Sequence, residues 1–536
     1  MVQRERGMTS NGAVRLSVSV YLIKKSKLTE SQTQLTAGAT VYPLIEAVEG
    51  GSFIALPAEP EPPGWLEPIS TLFAPGNSPQ LESQSPGALL WVPRGGRVFL
   101  FTFGCGHSKV KDEWVEPDFG KIVALAVVPQ DQVREVRVEQ VFAKRHIANE
   151  RAPRASAVRE FGFEPDRDLV AAVEGVPESM YEITFGKKVR GGVSFKFDLE
   201  VDKLVETLDQ IIERFGSNDH RSRWPQANNL VLVRDDALVN QLDALLTAIL
   251  AGTSPEASIS LAAPGEQSGD KPYPQHFVIG RMSSKPATSP YLMFSAWQQY
   301  VQTNGDQADL DVAKSTRVHL LDEHKVEIGV CSMYQCMGAE VNLNGVAHVL
   351  SSGCWYAADQ QFIASTNQTL ATLDAPNRAL QAWNKIDHEG PYNEAAVNAD
   401  PDLWLFDKQL VNFGGGSSRF EFCDIMHLPT KTLYFVKHPV GSAGVSHLCE
   451  QVRRTAETFF DADQSYRQKL ANRIVAMSKG WDTSWLTARP KQHEWNLCLV
   501  LMGKQLSGLP FFAKCGVARL LGELQRRGFN VSFQAV

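Results

Sequence analysis

The sequence lacks the features of a membrane or secreted protein. It contains no run of ~18 uncharged apolar residues, the length that a helix needs to cross a bilayer. Residues 1–10 (MVQRERGMTS) hold no apolar segment of a signal peptide. We therefore expect a cytoplasmic protein that makes no contact with a membrane.

Cysteine is sparse, and its spacing argues against common metal-binding frameworks. Eight cysteines are spread over 536 residues without a CxxC pair. This usage argues against a structural zinc site and is typical of reduced, buried thiols in a cytoplasm.

Three well-known catalytic or nucleotide-binding signatures are also missing. The sequence has no GxSxG nucleophile elbow. The glycine-rich segment Phe103–His107 (FGCGH) has neither the Lys-Ser/Thr ending of a P-loop nor the GxGxxG spacing of a dinucleotide fold. A tight turn is its main interpretation, and a phosphate-binding loop of a nucleotide-using enzyme is the alternative.

The sequence does have a globular composition and the length of several domains. It is 43% hydrophobic and 21% charged, and it exceeds the ~250–300 residues of a single core. We expect a multidomain protein of mixed α/β and α+β class. The expected parts are an N-terminal mixed-sheet domain (1–250) with a Pro/Ser-rich insertion (57–86), a central α+β region (251–389) and a C-terminal α/β domain (390–536).

Apolar periodicity predicts strands and helices along the whole chain. The predicted strands are Val14–Lys24, Ala88–Val92, Arg97–Phe103 and Ile122–Val128, with a hairpin in Val326–Tyr356 around Asn344-Gly345. The predicted helices are Leu199–Phe215, Ala237–Leu250, Gln361–Leu380 and Val517–Arg527. Both kinds of element occur in most parts of the chain, as a mixed fold requires.

Charge is distributed unevenly along the chain. Residues 411–536 hold 16 Lys and Arg against 9 Asp and Glu, a balance of +7, whereas residues 1–410 carry −14. A basic C-terminal domain favours a contact with DNA or RNA, although chance unevenness of solvated faces fits the same counts. The candidate nucleic-acid contacts are Arg453, Arg454 and His447 on a predicted helix, and Arg223 and Trp224 in a polar loop.

Two short apolar strands near the C-terminus carry charged residues. Phe420–Met426 and Thr432–Lys437, joined by the turn Leu-Pro-Thr-Lys, are predicted to form a hairpin. If its centre lies near Thr430–Lys431, Asp424 and Lys437 come opposite each other, with Cβ atoms ~5 Å apart. Such a pair fits a catalytic site, and it equally fits an ion pair at a sheet edge.

This order of residues resembles the restriction-endonuclease-like PD-(D/E)xK arrangement. There an acidic residue begins one strand, a lysine ends the next, and the following helix often offers a glutamine. The resemblance implies that Asp424 binds Mg²⁺ or Mn²⁺, that Lys437 positions the attacking water and that Gln451 orients substrate or water. Hard carboxylate oxygens suit these cations, and phosphodiester hydrolysis uses them.

The PD-(D/E)xK arrangement also includes a second metal-binding carboxylate and, in some proteins, an acid from an earlier helix. Phe435 occupies the usual position of the second acid, two residues before the lysine. Glu421 could replace it as a metal ligand only through a bulge, because Glu421 and Asp424 have opposite parity on a regular strand. Glu394 is the candidate for the acid that an earlier helix sometimes adds.

Six segments together resemble one protein family. They are Phe101–His107 (FTFGCGH), Glu116–Ala126 (EPDFGKIVALA), Leu350–Phe362 (LSSGCWYAADQQF), Phe420–Lys437 (FEFCDIMHLPTKTLYFVK), Ser446–Gln451 (SHLCEQ) and Leu509–Phe512 (LPFF). They resemble sporadically distributed bacterial proteins of unknown function carried on mobile and defence-associated islands, from about residue 97 to the C-terminus. The resemblance implies a setting in mobile-element or antiviral biology and no settled activity.

We therefore predict a defence-associated, metal-dependent nuclease, or a nucleic-acid-binding protein derived from one. The alternative is a non-enzymatic sensor or scaffold of an anti-phage or mobile-element system, which would bind a protein partner.

Overall fold

The computed structural model describes most of the chain and shows a mixed α and β multidomain protein. It describes residues 15–57, 60, 62, 81–82, 84, 86–140, 146–163, 168–252, 259–264, 274–283, 287–412, 419–438 and 441–536. Most of the predicted insertion at 57–86 lies outside these residues. In the described part, no helix has the length and apolarity needed to cross a membrane.

The described residues form two compact units. The first lies within Met1–Glu139 and Ile147–Asn228, and the second within Gln140–His146, Asn229–Pro264 and Pro272–Val536. The three-part division expected from the sequence stays a prediction.

The described residues of the first unit contain a ten-stranded sheet. Its strands are β1 (Arg15–Ile23), β2 (Thr40–Pro43), β3 (Ser52–Ala55), β4 (Gly87–Arg94), β5 (Arg97–Gly104), β6 (Val133–Gln140), β7 (His146–Ser156), β8 (Asp168–Gly175), β9 (Val189–Gly191) and β10 (Phe195–Glu200). They lie in the order β2-β3-β4-β5-β1-β10-β9-β8-β6-β7. The helices are α1 (Leu28–Thr36), α2 (Phe119–Val127), α3 (Ser179–Phe185), α4 (Leu204–Gly216) and α5 (Asp219–Arg223). The strands predicted near Val14, Ala88 and Arg97 are confirmed.

The predicted strand Ile122–Val128 was wrong, because this segment belongs to helix α2. Its sequence, FGKIVALAV, is buried on almost every side. A short apolar run of this kind fits a buried strand and a buried helix equally well, so periodicity could not separate them. Gly120 then lets α2 approach the sheet closely, since a Cβ there would lie 2.0 Å from the carbonyl oxygen of Ser194.

The second unit begins with two antiparallel sheets and five helices. The strands are β11 (Leu230–Leu232), β12 (Ile259–Leu261), β13 (His276–Ile279), β14 (Arg317–Leu321), β15 (Glu327–Ser332), β16 (Met337–Leu343), β17 (Val346–Ser351) and β18 (Cys354–Ala358). Their orders are β11-β18-β17-β16-β12 and β13-β14-β15. The helices are α6 (Asp236–Leu250), α7 (Phe294–Thr303), α8 (Leu310–Ser315), α9 (Met333–Cys336) and α10 (Gln360–Leu370).

Local sequence signals explain two features of this part. The predicted hairpin turn is confirmed between β16 and β17, where Asn344 and Gly345 both have positive φ, 54° and 80°. Helix α10 ends at Leu370, ten residues before the predicted end. Pro376 follows shortly, and a residue before proline is disfavoured in the helical region.

The C-terminal part of the second unit contains a five-stranded sheet with helices on both faces. Its strands are β19 (Leu403–Leu405), β22 (Ile425–His427), β23 (Thr432–Lys437), β24 (Asn496–Leu501) and β25 (Asn530–Ala535), in that order, and a separate pair is β20 (Leu410–Asn412) with β21 (Arg419–Glu421). Strands β23, β24 and β25 are parallel. The helices are α11 (Glu389–Ala399), α12 (Gly441–Thr458), α13 (Ser465–Ala476) and α14 (Phe511–Arg526).

Successive side chains of β23 point to opposite faces of the sheet and pack into two separate cores, so the region has three layers. Leu433 and Phe435 belong to the core that includes α12 and α14. Tyr434 and Val436 belong to the core that includes α11. This region therefore has three layers, and β23 lies in the middle one.

Candidate metal centre

A break in the predicted first strand of the hairpin creates the site. Residues 419–421 pair with β20 in a two-stranded sheet, whereas residues 425–427 belong to the five-stranded sheet. The single predicted strand Phe420–Met426 was therefore wrong. On a regular strand Glu421 and Asp424 would point to opposite faces, so the break between them is what allows their carboxylates to meet.

Three carboxylates converge at this break. One carboxylate oxygen each of Asp407, Glu421 and Asp424 lies within 4.8 Å of the others. This group could hold a divalent metal ion, since hard oxygen ligands suit Mg²⁺, Mn²⁺ and Ca²⁺. The sequence prediction named Glu421 and Asp424 as metal ligands and missed Asp407.

Backbone hydrogen bonds of the residues after β19 position Asp407, the third acid of the triad. The N–H groups of Phe406 and Asp407 both donate to the carbonyl oxygen of Asp424, at 2.8 and 3.1 Å. The N–H of Lys408 donates to Oε1 of Glu421 at 2.8 Å. Asp407 follows a short apolar strand directly, and that position was the sequence signal that could have identified it.

The electrostatics of the triad favour a cation. Burial raises the pKa of Asp424 to about 8, the N–H of Val436 on Oδ2 (2.7 Å) opposes this, and the neighbouring acids Glu421 and Asp407 raise the pKa further. Burial likewise raises the pKa of Glu421. Within the described residues, no cationic side chain forms an ion pair with Asp424 or Glu421. Asp407 lies 3.8 Å from the exposed ammonium of Lys408, and a bound metal ion would supply the positive charge that the other two acids lack.

The hairpin has the predicted turn but a different register. Residues 428–431 form the turn, and Lys431 closes it with a positive φ of 50°. Ile425 lies opposite Tyr434, so the centre falls one residue earlier than predicted. The prediction that Asp424 lies opposite Lys437 was therefore wrong by two residues. The N–H of Asp424 instead donates to the carbonyl oxygen of Tyr434 at 3.0 Å.

Lys437 is held at the end of β23 by an acid from helix α11. Its Nζ lies 2.8 Å from Oε2 of Glu389, whose Oε1 accepts the N–H of His438 at 3.0 Å. The positive charge of Lys437 opposes the rise in the pKa of Glu421 that burial causes. Lys437 also follows Val436, whose N–H donates to Oδ2 of Asp424 at 2.7 Å. The acid that the earlier helix contributes is thus Glu389, and Glu394 lies on the exposed side of α11, away from this contact.

Helix α12 carries two of the predicted residues. His447 is exposed, and its electrostatic interaction with Glu421 opposes the rise in the pKa of Glu421 that burial causes. Gln451 lies one turn further on, and its Nε2 is buried without a hydrogen-bond partner in the described part of the chain. The predicted role of Gln451 in orienting substrate or water stays a prediction.

The two candidate phosphate contacts on α12 are ion-paired. Arg453 contacts Glu450 at 2.9 Å and Glu523 at 3.1 Å. Arg454 is exposed and also contacts Glu450, at 3.0 Å. Arg454 can reach a polyanion by exchanging a weak surface pair, whereas Arg453 would have to leave two partners.

The predicted contacts in the first unit need correction. Trp224 is completely buried in the core of that unit, and its Nε1 donates to the carbonyl oxygen of Val128 at 2.9 Å. Its ring is therefore a packing group and is not available for base stacking. Arg223 is ion-paired with Glu178. The segment forms the short helix α5, which turns the aromatic ring inward.

The glycine-rich segment after β5 is a tight turn. A Cβ at Gly104 would lie 2.0 Å from the carbonyl oxygen of Pro86, and one at Gly106 would lie 2.4 Å from that of Ala88. Gly104 also has a positive φ of 56°. The glycines are required by the close packing of this turn on the start of β4, which favours the turn over a phosphate-binding loop.

Comparisons with known proteins give a family and no relative of known activity. Searches of curated proteins and of solved structures each returned no match. A family model described as a family of unknown function (DUF6119) matches residues 18–536, which is nearly the whole chain and begins earlier than the resemblance seen in the sequence. The chain therefore belongs to the DUF6119 family.

Proposed function

We propose that this chain is a metal-dependent nuclease whose centre is the triad of Asp407, Glu421 and Asp424. The observation that carries the proposal is the convergence of three carboxylate oxygens within 4.8 Å, with Lys437 one residue after Val436, whose N–H donates to Asp424. A group of three acids, one of them buried and two half-buried, is unfavourable unless a cation offsets its charge. We propose Mg²⁺ or Mn²⁺ as that cation, as in other enzymes that hydrolyse phosphodiesters.

The residues around the triad fit this chemistry. The metal would lower the pKa of a bound water and offset charge on the phosphate. Lys437 ends β23 next to Val436, whose N–H holds Asp424, so it is placed to stabilise an anionic transition state. Glu389 fixes the Lys437 ammonium at 2.8 Å and so limits its motion.

Two sequence features support nucleic acid as the substrate. The balance of +7 over residues 411–536 favours a polyanion at this end of the chain. The order of acid, lysine and following helix also resembles the PD-(D/E)xK arrangement. A defence-associated setting rests on the resemblance of the sequence segments alone.

The proposal is tested by removing each acid in turn. Asp407→Asn, Glu421→Gln and Asp424→Asn should each weaken Mn²⁺ binding in calorimetry and reduce Mn²⁺-dependent cleavage of DNA and RNA. Glu394→Gln is the matched control, since it removes an exposed acid of α11 that lies outside the triad. Wild-type protein that binds no Mn²⁺ and cleaves neither polymer would contradict the proposal.

A nucleic-acid-binding protein derived from a nuclease is the second candidate, and one observation favours it. Asp424 is only 6% exposed, and Lys437 is already paired with Glu389. Both groups would have to open toward solvent before a phosphate could reach them. This candidate predicts salt-sensitive binding of DNA or RNA without cleavage, and with no dependence of binding on the triad.

A further inference from the structure

Asn393 on helix α11 is buried completely, and its side-chain amide is unsatisfied. Its relative exposure is 0%, and neither Oδ1 nor Nδ2 has a hydrogen-bond partner among the described residues. Leaving a buried amide unpaired is unfavourable, because the amide loses its hydrogen bonds to water. Its neighbours Tyr392 and Ala396 on α11 are core residues, and Leu at position 393 would avoid this penalty.

Two residues on the preceding turn show which way this amide faces. Glu389 reaches the ammonium of Lys437. Gly390 faces Lys408 and Asp407, because a Cβ there would lie 3.0 Å from Nζ of Lys408 and 3.2 Å from Oδ2 of Asp407. In a helix of 3.6 residues per turn, position 393 points between the directions of 389 and 390, one turn further along.

The tilt of side chains in a helix directs the amide of Asn393 toward the preceding turn, which holds Glu389 and Gly390. Every Cα–Cβ bond of an α-helix leans toward the N-terminus, so the side chain of Asn393 covers the turn that holds Glu389 and Gly390. That turn contacts Lys437 on one side and Asp407 on the other. The burial of the amide and its lack of a partner among the described residues are observations independent of the three carboxylates.

We propose that Asn393 is a fourth oxygen ligand of the cation that Asp407, Glu421 and Asp424 bind, directly or through one water. The inference rests on the proposed metal centre and adds a neutral ligand to it. An amide oxygen is a hard ligand of the kind that Mg²⁺, Mn²⁺ and Ca²⁺ accept beside carboxylates. It adds an oxygen without adding a fourth negative charge to a centre whose acids already repel each other.

A hydrophobic substitution at position 393 distinguishes a metal ligand from a residue with only a structural role. Asn393→Leu keeps the size of the side chain and removes both polar atoms, so the metal-free protein should melt at the same or a higher temperature. Its Mn²⁺ affinity in calorimetry should fall ~10-fold or more, as when groups that support a metal site are lost. Asn393→Asp restores an oxygen and should recover Mn²⁺ binding. Asn398→Leu, a change at a more exposed position of α11, is the matched control.

The outcomes distinguish this inference from the proposed function. Wild-type and Asn393→Leu proteins with equal Mn²⁺ affinity would overturn the role of Asn393 while leaving the metal centre intact. A wild-type protein that binds no Mn²⁺ would overturn both. If Asn393→Leu does not fold, Asn393→Ala and Asn393→Asp provide the same comparison, and normal Mn²⁺ affinity in Asn393→Ala would overturn the inference.

Discussion

Two aspartates of the second unit are equally buried, and their surroundings differ completely. Asp243 and Asp424 are each 6% exposed. Asp243 accepts hydrogen bonds from Tyr334 and Trp355, both at 2.8 Å, and pairs with the ammonium of Lys314 at 2.6 Å. The chain itself therefore neutralises and saturates this carboxylate.

Asp424 has the opposite environment. It accepts one backbone N–H, and the charged groups that act on it most strongly are other carboxylates. Burial alone therefore does not mark a functional acid, because Asp243 is buried for stability. What distinguishes Asp424 is that the chain provides it with neighbours of the same charge and with no paired cation in the described residues.

The largest expected effect is a loss of stability when Asp243, whose hydrogen bonds and charge the chain satisfies, is replaced. Asp243→Ala leaves the ammonium and two buried donors of its network without a partner, so the free energy of unfolding should fall by about 3–5 kcal/mol. Urea denaturation measures this loss. Asp306→Ala, at an exposed position, is the control. A wild-type denaturation curve for Asp243→Ala would show that the network is not stabilising and would remove the contrast with Asp424.

The next effect is on activity, and it should come without a loss of stability. Asp424→Asn keeps an acceptor for the N–H of Val436, and Lys437→Ala removes a partly exposed ion pair worth ~0–1 kcal/mol. Near neutral pH, Lys437→Ala should melt like wild type and Asp424→Asn at the same or a higher temperature, while Mn²⁺-dependent cleavage falls ~10²–10³-fold in both. Full cleavage by either variant would make that residue structural.

Stability of the metal-free protein should depend on pH through Asp424. Its pKa is about 8 in the folded chain and ~3.9 when unfolded, so the folded state holds a proton that the unfolded state loses. Stability should therefore fall as pH rises from about 4 to about 8. Denaturation series in EDTA measure this slope, and Asp424→Asn should flatten it. Identical slopes for the two proteins would show that Asp424 is ionised in the fold.

The smallest effect is expected at the exposed face of α12. Arg454→Gln breaks a surface pair with Glu450, worth about 0.3–0.5 kcal/mol. If this face contacts phosphate, binding of DNA or RNA should weaken uniformly across sequences, and the salt dependence should decrease by about one phosphate contact. Unchanged salt dependence would place the nucleic-acid contact elsewhere.

Local sequence signals were sufficient for much of the fold. The turn at Asn344-Gly345 needs positive φ at two successive residues, and few sequences supply it. Helix α6 was predicted almost to the residue, because Asp235 caps it and its apolar positions have helical spacing. Helix α2 was missed because both of its faces are buried, which erases the periodicity.

The candidate site could be predicted only in part. Glu421 and Asp424 were identified from their residue types, but their approach depends on a strand break that depends on tertiary packing. Phe435 was considered as the position of a missing carboxylate, yet it is completely buried in the core with Leu433. Asp407 and Glu389 come from segments that are distant in sequence, and only the folded chain brings them to Asp424 and Lys437.

The backbone carbonyl of Asp424 links the opening of the triad to the exchange of two backbone amides. Because the amides of Phe406 and Asp407 share the carbonyl of Asp424 as acceptor, a local opening that separates the acids must free both protons at once. Hydrogen exchange at these two amides would then proceed at a common rate and would report the lifetime of the assembled triad directly, with or without metal.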